Sequence, residues 1–87
     1  MSVQGKTICL IGEFDSQPRD ELEFGLYDIG ADVVKRVSKK VDFVIAGRDP
    51  GARADEARAL GIPILGEADL DALFRGVSPD ELIARAT

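Results

Sequence analysis

The sequence predicts an α/β domain in which a small sheet carries helices on both faces. Two apolar runs, Thr7 to Ile11 and Phe43 to Ala46, have the length and composition of strands that are buried on both sides. A helical segment follows each run, and a further apolar run begins at Ile62. The resulting order, β-α-β-β-α-β-α, is typical of layered α/β domains.

The first helix is predicted between two loop signals. Asp15 and Ser16 offer side-chain caps for its start, and Pro18 suits a first helical turn because it needs no N–H acceptor there. Gly30 is expected to end it, since glycine readily adopts the left-handed conformation that terminates helices. Apolar residues at i, i+4 and i+7 form the stripe that should face the sheet: Leu22, Leu26 and Ile29.

The middle of the chain predicts two strands and a helix. A second, partly polar strand is predicted at Asp32 to Val37, and a tight link at residues 38–40 leads to a third strand at Asp42 to Ala46. Residues 49–51, Asp-Pro-Gly, supply turn chemistry before a second helix at Arg53 to Leu60. The inward positions of that helix are mostly Ala, so it is expected to pack closely.

The last third predicts one strand and two helices. The fourth strand is expected at Ile62 to Leu65, and the third helix at Glu67 to Arg75 with an apolar inner side: Leu70, Leu73 and Phe74. Residues 78–81, Ser-Pro-Asp-Glu, form a capping box with Pro at the first helical position. They predict a short final helix that ends at Arg85.

Composition limits the classes of function. A chain of 87 residues with 45 % apolar side chains predicts one domain with a modest core. It contains no apolar run approaching the length of roughly 20 residues that spans a bilayer. It also has no basic start followed by an apolar stretch, as a signal peptide would, so no membrane partner is predicted. Cys9 is the sole cysteine, which excludes an internal disulfide and favours a reducing compartment. Histidine is absent, so neither a zinc site nor any other cofactor is expected.

The formal net charge of −5 is unevenly distributed. Residues 35–58 carry seven basic and four acidic groups, whereas the segments before and after them are acidic. A domain that binds the DNA backbone unaided is normally basic overall, because counterion release drives such binding. The sequence therefore predicts only a local basic patch, and any DNA binding should be weak and salt-dependent.

The most specific stretch is the strand–helix–strand unit from Val37 to Pro63. Together with Gly5-Lys6-Thr7 before the first strand and Ile29-Gly30-Ala31 after the first helix, it resembles a BRCT domain. The likeness is closest to the type in bacterial NAD-dependent DNA ligases and in clamp-loader large subunits. It covers residues 5–76 of a single domain that we expect to occupy residues 1–87. The final helix, residues 78–85, lies outside the family pattern.

The resemblance implies both a fold and a function. Periodicity alone also allows a truncated flavodoxin-like fold, whereas the BRCT likeness implies a parallel sheet of order 2-1-3-4, with the first and third helices on one face. BRCT domains are binding modules, so the expected function is non-catalytic, mainly protein–protein binding in DNA repair or replication. Recognition of DNA ends or 5′ phosphates within a DNA ligase or clamp loader is the alternative. A small enzyme or phosphotransfer domain is disfavoured, because the first strand does not end in Asp and no His is present. The expected location is cytoplasmic and nucleoid-associated for a bacterial chain, or nuclear for a eukaryotic one.

A degenerate phosphate pocket is the first candidate site. In phosphate-binding BRCT domains a Ser or Thr precedes the glycine that corresponds to Gly12, and a Lys near the start of the second helix completes the pocket. Here Ile11 takes the hydroxyl position, Glu13 adds a repelling charge, and Arg53 takes the Lys position. The resemblance therefore implies a weak or absent phosphate site.

Three further cations are candidates for DNA contact. Arg19 matches an arginine that lies near the bound DNA end in the ligase and clamp-loader type. A solvated Arg19 paired with Glu23 at i+4 is the structural alternative. Lys39 and Lys40 belong to a run of four cations within six residues, which is more often a solvated turn than a binding site.

Two aromatic residues predict a partner surface. Phe24 and Tyr27 lie off the apolar stripe of the first helix and adjoin each other at i, i+3. Exposed aromatics on one helix face suggest a contact surface for a protein partner or for a second copy in a homodimer. The alternative is that Gly25 lets the helix rotate and pack closely, with one ring in the core.

Overall fold

A computed structural model describes residues 3–86 as a four-stranded, fully parallel sheet with helices on both faces. The elements, in chain order, are β1 (Thr7–Ile11), α1 (Arg19–Asp28), β2 (Asp32–Val34), β3 (Phe43–Ala46), α2 (Ala52–Ala59), β4 (Ile64–Gly66), α3 (Asp69–Phe74) and α4 (Pro79–Ala86). The strand order is β2-β1-β3-β4. The α/β class and the 2-1-3-4 order are therefore confirmed. α4 begins at Pro79, the predicted first helical position of the capping box, and ends one residue later than predicted.

The sheet separates two apolar cores because successive side chains of a strand point to opposite faces. Ile8 and Leu10 of β1 join the larger core, whereas Cys9 and Ile11 join the smaller one, which explains the unbroken apolar run. The larger core takes its helix residues from α1, α3 and α4: Leu22, Leu26, Leu70, Leu73 and Leu82. The smaller core contains Ala54 and Ala57 of α2. The predicted placement of the helices is thus confirmed.

Three strands are shorter than predicted, and β3 differs least, since it begins at Phe43 rather than Asp42. β2 ends at Val34 rather than Val37, and Val37 instead packs against the smaller core. β4 begins at Ile64 rather than Ile62, because the Ile62 N–H bonds to the Ala57 carbonyl at the end of α2. The chain joins the sheet only after Pro63, whose carbonyl accepts the Val44 N–H at 2.9 Å.

α1 and α3 approach each other closely at one point. An added Cβ at Gly25 would lie 3.1 and 3.2 Å from two ring carbons of Phe74. Phe74 is partly buried against the larger core, as expected for an inner residue of α3. Gly25 therefore makes room for the Phe74 ring while Phe24 and Tyr27 stay outside the core.

Among the helices within residues 3–86, none combines the length and the hydropathy of a bilayer-spanning segment.

Candidate functional site

The loops after β1 and β3 are joined at the carboxyl edge of the sheet. Glu13 and Arg48 form an antiparallel bridge, with N···O distances of 2.8 Å from Glu13 N to Arg48 O and 2.7 Å from Arg48 N to Glu13 O. The Arg48 guanidinium also pairs with Glu13 at 3.3 Å and with Asp15 at 2.9 Å. These two carboxylates raise the pKa of Arg48. The negative charge predicted to repel a phosphate at Glu13 is thus already partnered.

Glu67 holds the loop before α1 from the other side of the sheet edge. Its Oε2 atom accepts the backbone N–H groups of Asp15 at 2.9 Å and Ser16 at 2.7 Å. These hydrogen bonds, the Ser16 N–H foremost, lower the pKa of the Glu67 carboxyl. Asp15 and Ser16 were predicted as helix caps, and this was wrong. Pro18 occupies the cap position with no side-chain cap bond, because the loop's polar groups serve Arg48 and Glu67 instead.

Sequence reasoning missed both Arg48 and Glu67. Arg48 follows β3 by two residues, and Glu67 directly follows β4. The carboxyl ends of parallel strands meet at one edge, where binding sites of α/β sheets commonly form. Their positions after the strands predict that these residues contact neighbouring loops. The sequence does not show which carboxylate Arg48 pairs with, or that Glu67 binds Ser16, some fifty residues earlier in the chain.

Glu67→Gln tests the loop contact through its pH dependence. The folded pKa lies below the unfolded one, so between the two values the folded state binds fewer protons than the unfolded state. The stabilisation is therefore complete above the unfolded pKa, roughly 4.3, and is lost as pH falls through the folded pKa. We expect the variant to melt at lower temperature at neutral pH, with the gap to the parent closing in acid. Asp32→Asn, at an exposed carboxylate of β2 away from any helix terminus, is the control. An equal gap at all pH values would contradict the assignment.

The residues of the predicted phosphate pocket are not assembled into one. Ile11 is fully buried in the smaller core, so no hydroxyl takes its place in the pocket. The Gly12 backbone has φ 78°, and an added Cβ would lie 2.7 Å from the Arg48 carbonyl oxygen. The Arg53 guanidinium is exposed and donates to the Lys35 carbonyl at 3.4 Å. Glycine at position 12 is thus required by the loop bridge, independently of any phosphate.

Arg19 is exposed, and its guanidinium is bound to backbone carbonyls at the end of β1. Its Nη1 donates to the Leu10 carbonyl and its Nη2 to the Gly12 carbonyl, both at 2.5 Å. The guanidinium also lies 5.7 Å from the centre of the Phe14 ring. The alternative pairing with Glu23 is absent among the described residues. Arg19 therefore satisfies carbonyls at the end of β1, which is a structural reason for a cation at the start of a helix.

Burial raises the pKa of the Cys9 thiol, and the neighbouring charges of Arg53 and Arg19 offset this only in part. The Cys9 side chain is fully buried in the smaller core. Arg19 lies in α1 and Arg53 in α2, and these two helices pack on opposite faces of the sheet.

The basic link between β2 and β3 borders a shallow groove of about 570 Å³. Its walls carry three exposed cations, Lys35, Arg36 and Lys40, beside one carboxylate, Asp32. Lys39 is exposed but does not line the groove. Of the predicted DNA contacts, only Lys40 lies here, and Arg53 touches the groove through its bond to Lys35.

The aromatic residues lie on the outer side of α1, as predicted. The Phe24 side chain is 74 % exposed and the Tyr27 side chain 51 % exposed. The Tyr27 hydroxyl donates to the Val33 carbonyl at 2.8 Å. Val33 lies in the edge strand β2, between residues whose backbone groups pair with β1. The Tyr27 hydroxyl thus bonds to a carbonyl that the sheet edge leaves free, and this hydrogen bond holds the ring at the surface next to Phe24.

The comparisons with known proteins agree with the fold and the motifs. The family model of the BRCA1 C Terminus (BRCT) domain matches residues 3–74. DNA ligase of Latilactobacillus sakei is 49 % identical over 67 residues, 77 % of this chain, and DNA ligase of Thermomicrobium roseum is 45 % identical over 71 residues, 82 % of this chain. The chain spans about 10 % of the length of each ligase. The C-terminal BRCT domain of human XRCC1 superposes with a TM-score of 0.72 at 21 % identity, over 92 % of this chain and 88 % of that one. The two cores, the sheet order and the family match together establish that this chain belongs to the BRCT domain family.

Proposed function

We propose that this chain is a non-catalytic interaction module of DNA repair or replication that binds a protein partner through the outer side of α1. The observation that carries the proposal is the pair of exposed rings on one helix face, Phe24 and Tyr27. Large aromatic side chains supply much of the binding energy where they anchor protein interfaces. The ligase relatives support the setting in DNA metabolism and, with it, a bacterial cytoplasmic location near the chromosome.

The same relatives suggest how the module is used. Because the chain spans about a tenth of each ligase, we propose that a domain like this one, occupying residues 1–87, serves a larger ligase-like enzyme. In that role the domain recruits or positions, while the chemistry takes place elsewhere. The acidic α1 and the buried Ile11 support protein binding over phosphate recognition.

Site-specific photo-crosslinking tests the partner surface. Phe24→benzoylphenylalanine places a reactive group on the proposed surface, and Leu60→benzoylphenylalanine is the control on the other side of the sheet, where Leu60 is 42 % exposed. We expect an adduct specific to position 24 whose protein component, identified by mass spectrometry, acts in repair or replication. Equal adducts at both positions, or adducts with DNA alone, would contradict the proposal.

DNA-end binding remains a second candidate because of the basic groove. Three of its cations, Lys35, Arg36 and Lys40, are exposed and lack ion pairs among the described residues. Fewer than about six phosphate contacts give a shallow salt dependence and little affinity. The groove therefore supports weak, non-specific contact with a nucleic-acid backbone more than recognition of an end.

We expect binding to a nicked, 5′-phosphorylated duplex to be lost by physiological salt. Lys40→Ala should reduce the low-salt affinity and the slope of log affinity against log salt by up to about one unit. Lys6→Ala, a cation outside the groove, is the matched control, and fluorescence anisotropy measures both. Tight binding at physiological salt that a folded Arg19→Ala variant loses would instead favour end recognition.

A phosphopeptide should leave the Gly12 and Arg53 amides unshifted in an NMR titration.

A further inference from the structure

The exposed rings of α1 are surrounded by carboxylates that have no internal partner. α1 carries four acidic residues besides its rings: Asp20, Glu21, Glu23 and Asp28. None of them has an ion pair or a side-chain hydrogen bond with another residue of 3–86. In each of the other three helices an acidic residue pairs with an arginine of the same helix or of its C-cap, as in Asp71 with the cap residue Arg75 at 2.9 Å. Unlike the other helices, α1 therefore leaves all of its carboxylates without an ion pair among residues 3–86.

Asp28 makes the charge pattern costly for the helix itself. It is the last residue of α1, and no basic residue lies in the last turn. The carboxyl end of a helix carries partial negative charge, so an anionic side chain there is unfavourable. Asp20 and Glu21 in the first turn have the opposite, favourable relation to the dipole. Helix stability thus accounts for the acidic first turn but not for Asp28.

The spacing brings the charges next to the ring. Asp20, Phe24 and Asp28 follow one another at i, i+4 and i+8, and side chains four apart are neighbours on a helix surface. A ring face attracts a cation, and a guanidinium can stack on the ring while it bonds a carboxylate. A phosphate backbone would be repelled here, and a two-fold contact of α1 with its copy would bring like charges together. Only a positively charged partner complements the surface.

We infer that the α1 surface of Asp20, Phe24, Tyr27 and Asp28 binds an arginine-bearing, positively charged segment of another protein, with a guanidinium stacked on Phe24 between the two carboxylates. This rests on the proposed function and adds the chemistry of the partner. The chain's own basic link, residues 35–40, has the right charge, so binding to a second copy is a competing outcome of the test.

The test uses short synthetic peptides of alternating Arg and Ser as the probe, with Lys-Ser and Gln-Ser peptides for comparison. In an NMR titration of the full chain we expect shifts centred on α1, with Arg binding more tightly than Lys and Gln not binding. Phe24→Ala should weaken Arg-peptide binding roughly two- to fivefold, the worth of one exposed cation–π contact. Leu60→Ala, which removes an exposed side chain elsewhere, should leave it unchanged.

A charge-matched pair separates the local site from the overall negative charge. Asp20→Asn with Asp28→Asn should weaken binding, whereas Asp49→Asn with Glu56→Gln, the same change of net charge outside α1, should leave most of it. Asp28→Asn alone should not lower the melting temperature. If Asp28 served only to stabilise the fold, its replacement would lower it. Shifts spread over all acidic regions, or equal loss in both pairs, would overturn the inference. If the chain self-associates in sedimentation experiments and the double change Lys39→Ala with Lys40→Ala abolishes this, the bound segment is the basic link of a second copy rather than part of another protein.

Failure here is distinguishable from failure of the proposed function. Position-24 crosslinks that persist when Asp20 and Asp28 are both replaced by Asn would leave the partner surface intact and refute its preference for a basic segment. Loss of every protein adduct at position 24 in the otherwise unaltered chain would refute the surface itself.

Discussion

Leu26→Ala is expected to lower the free energy of unfolding by about 2–5 kcal/mol, as truncations of buried leucines do. Leu26 is fully buried in the larger core, where α1 meets the sheet. The change removes apolar burial and leaves a cavity that the surrounding side chains fill only in part. A small domain is stable by only about 5–15 kcal/mol, so the effect on the melting temperature should be large. Urea denaturation followed by circular dichroism measures it.

Phe24→Ala, two residues away, is the matched control. Its ring is 74 % exposed, so we expect the free energy of unfolding to change by no more than about 0.5 kcal/mol. The pair contrasts one helix's inner and outer sides. If Phe24→Ala destabilises the chain as much as Leu26→Ala does, the ring contributes to folding, and lost partner binding no longer identifies a contact surface.

The fold was predictable because its elements obey local rules. The apolar run of β1 and the Leu22–Leu26 stripe of α1 record which side chains enter the two cores. Element ends were less predictable, since they depend on which partner a backbone group finds. Ile62 is a residue type that favours strands, yet its N–H bonds to the Ala57 carbonyl at the end of α2 instead of joining the sheet.

The candidate site was predictable as residue types and exposure, not as contacts. Spacing within one helix predicted that Phe24 and Tyr27 share an outer side, because that geometry is local. The hydroxyl of Tyr27 meets Val33, and Arg19 meets the carbonyls of Leu10 and Gly12, only because α1 packs beside β1 and β2. A single sequence does not specify which of the possible polar contacts between elements will form.

Gly47→Ala is expected to be strongly destabilising through a contact rather than through backbone conformation. An added Cβ would overlap the Glu13 carbonyl oxygen and lie 2.8 Å from the Glu13 carbonyl carbon. Both atoms are backbone, so the loops must separate. This strain costs about 1–3 kcal/mol, with about 1 kcal/mol more for each hydrogen bond lost from the bridge between Glu13 and Arg48.

Gly66→Ala tests the same chemical change where space is open. Gly66 ends β4, and its added Cβ would meet nothing closer than the Asp69 Oδ2 atom at 4.0 Å. We expect this control to unfold at nearly the parent urea concentration, whereas Gly47→Ala unfolds earlier and its Glu13 and Arg48 amides lose protection from hydrogen exchange. Because Arg48 meets Glu13 and Asp15 only when the loops are joined, the same variant should also free those carboxylates. Retained amide protection in Gly47→Ala would mean that the bridge between Glu13 and Arg48 tolerates the added Cβ. The close approach at Gly47 would then not explain a requirement for glycine at position 47.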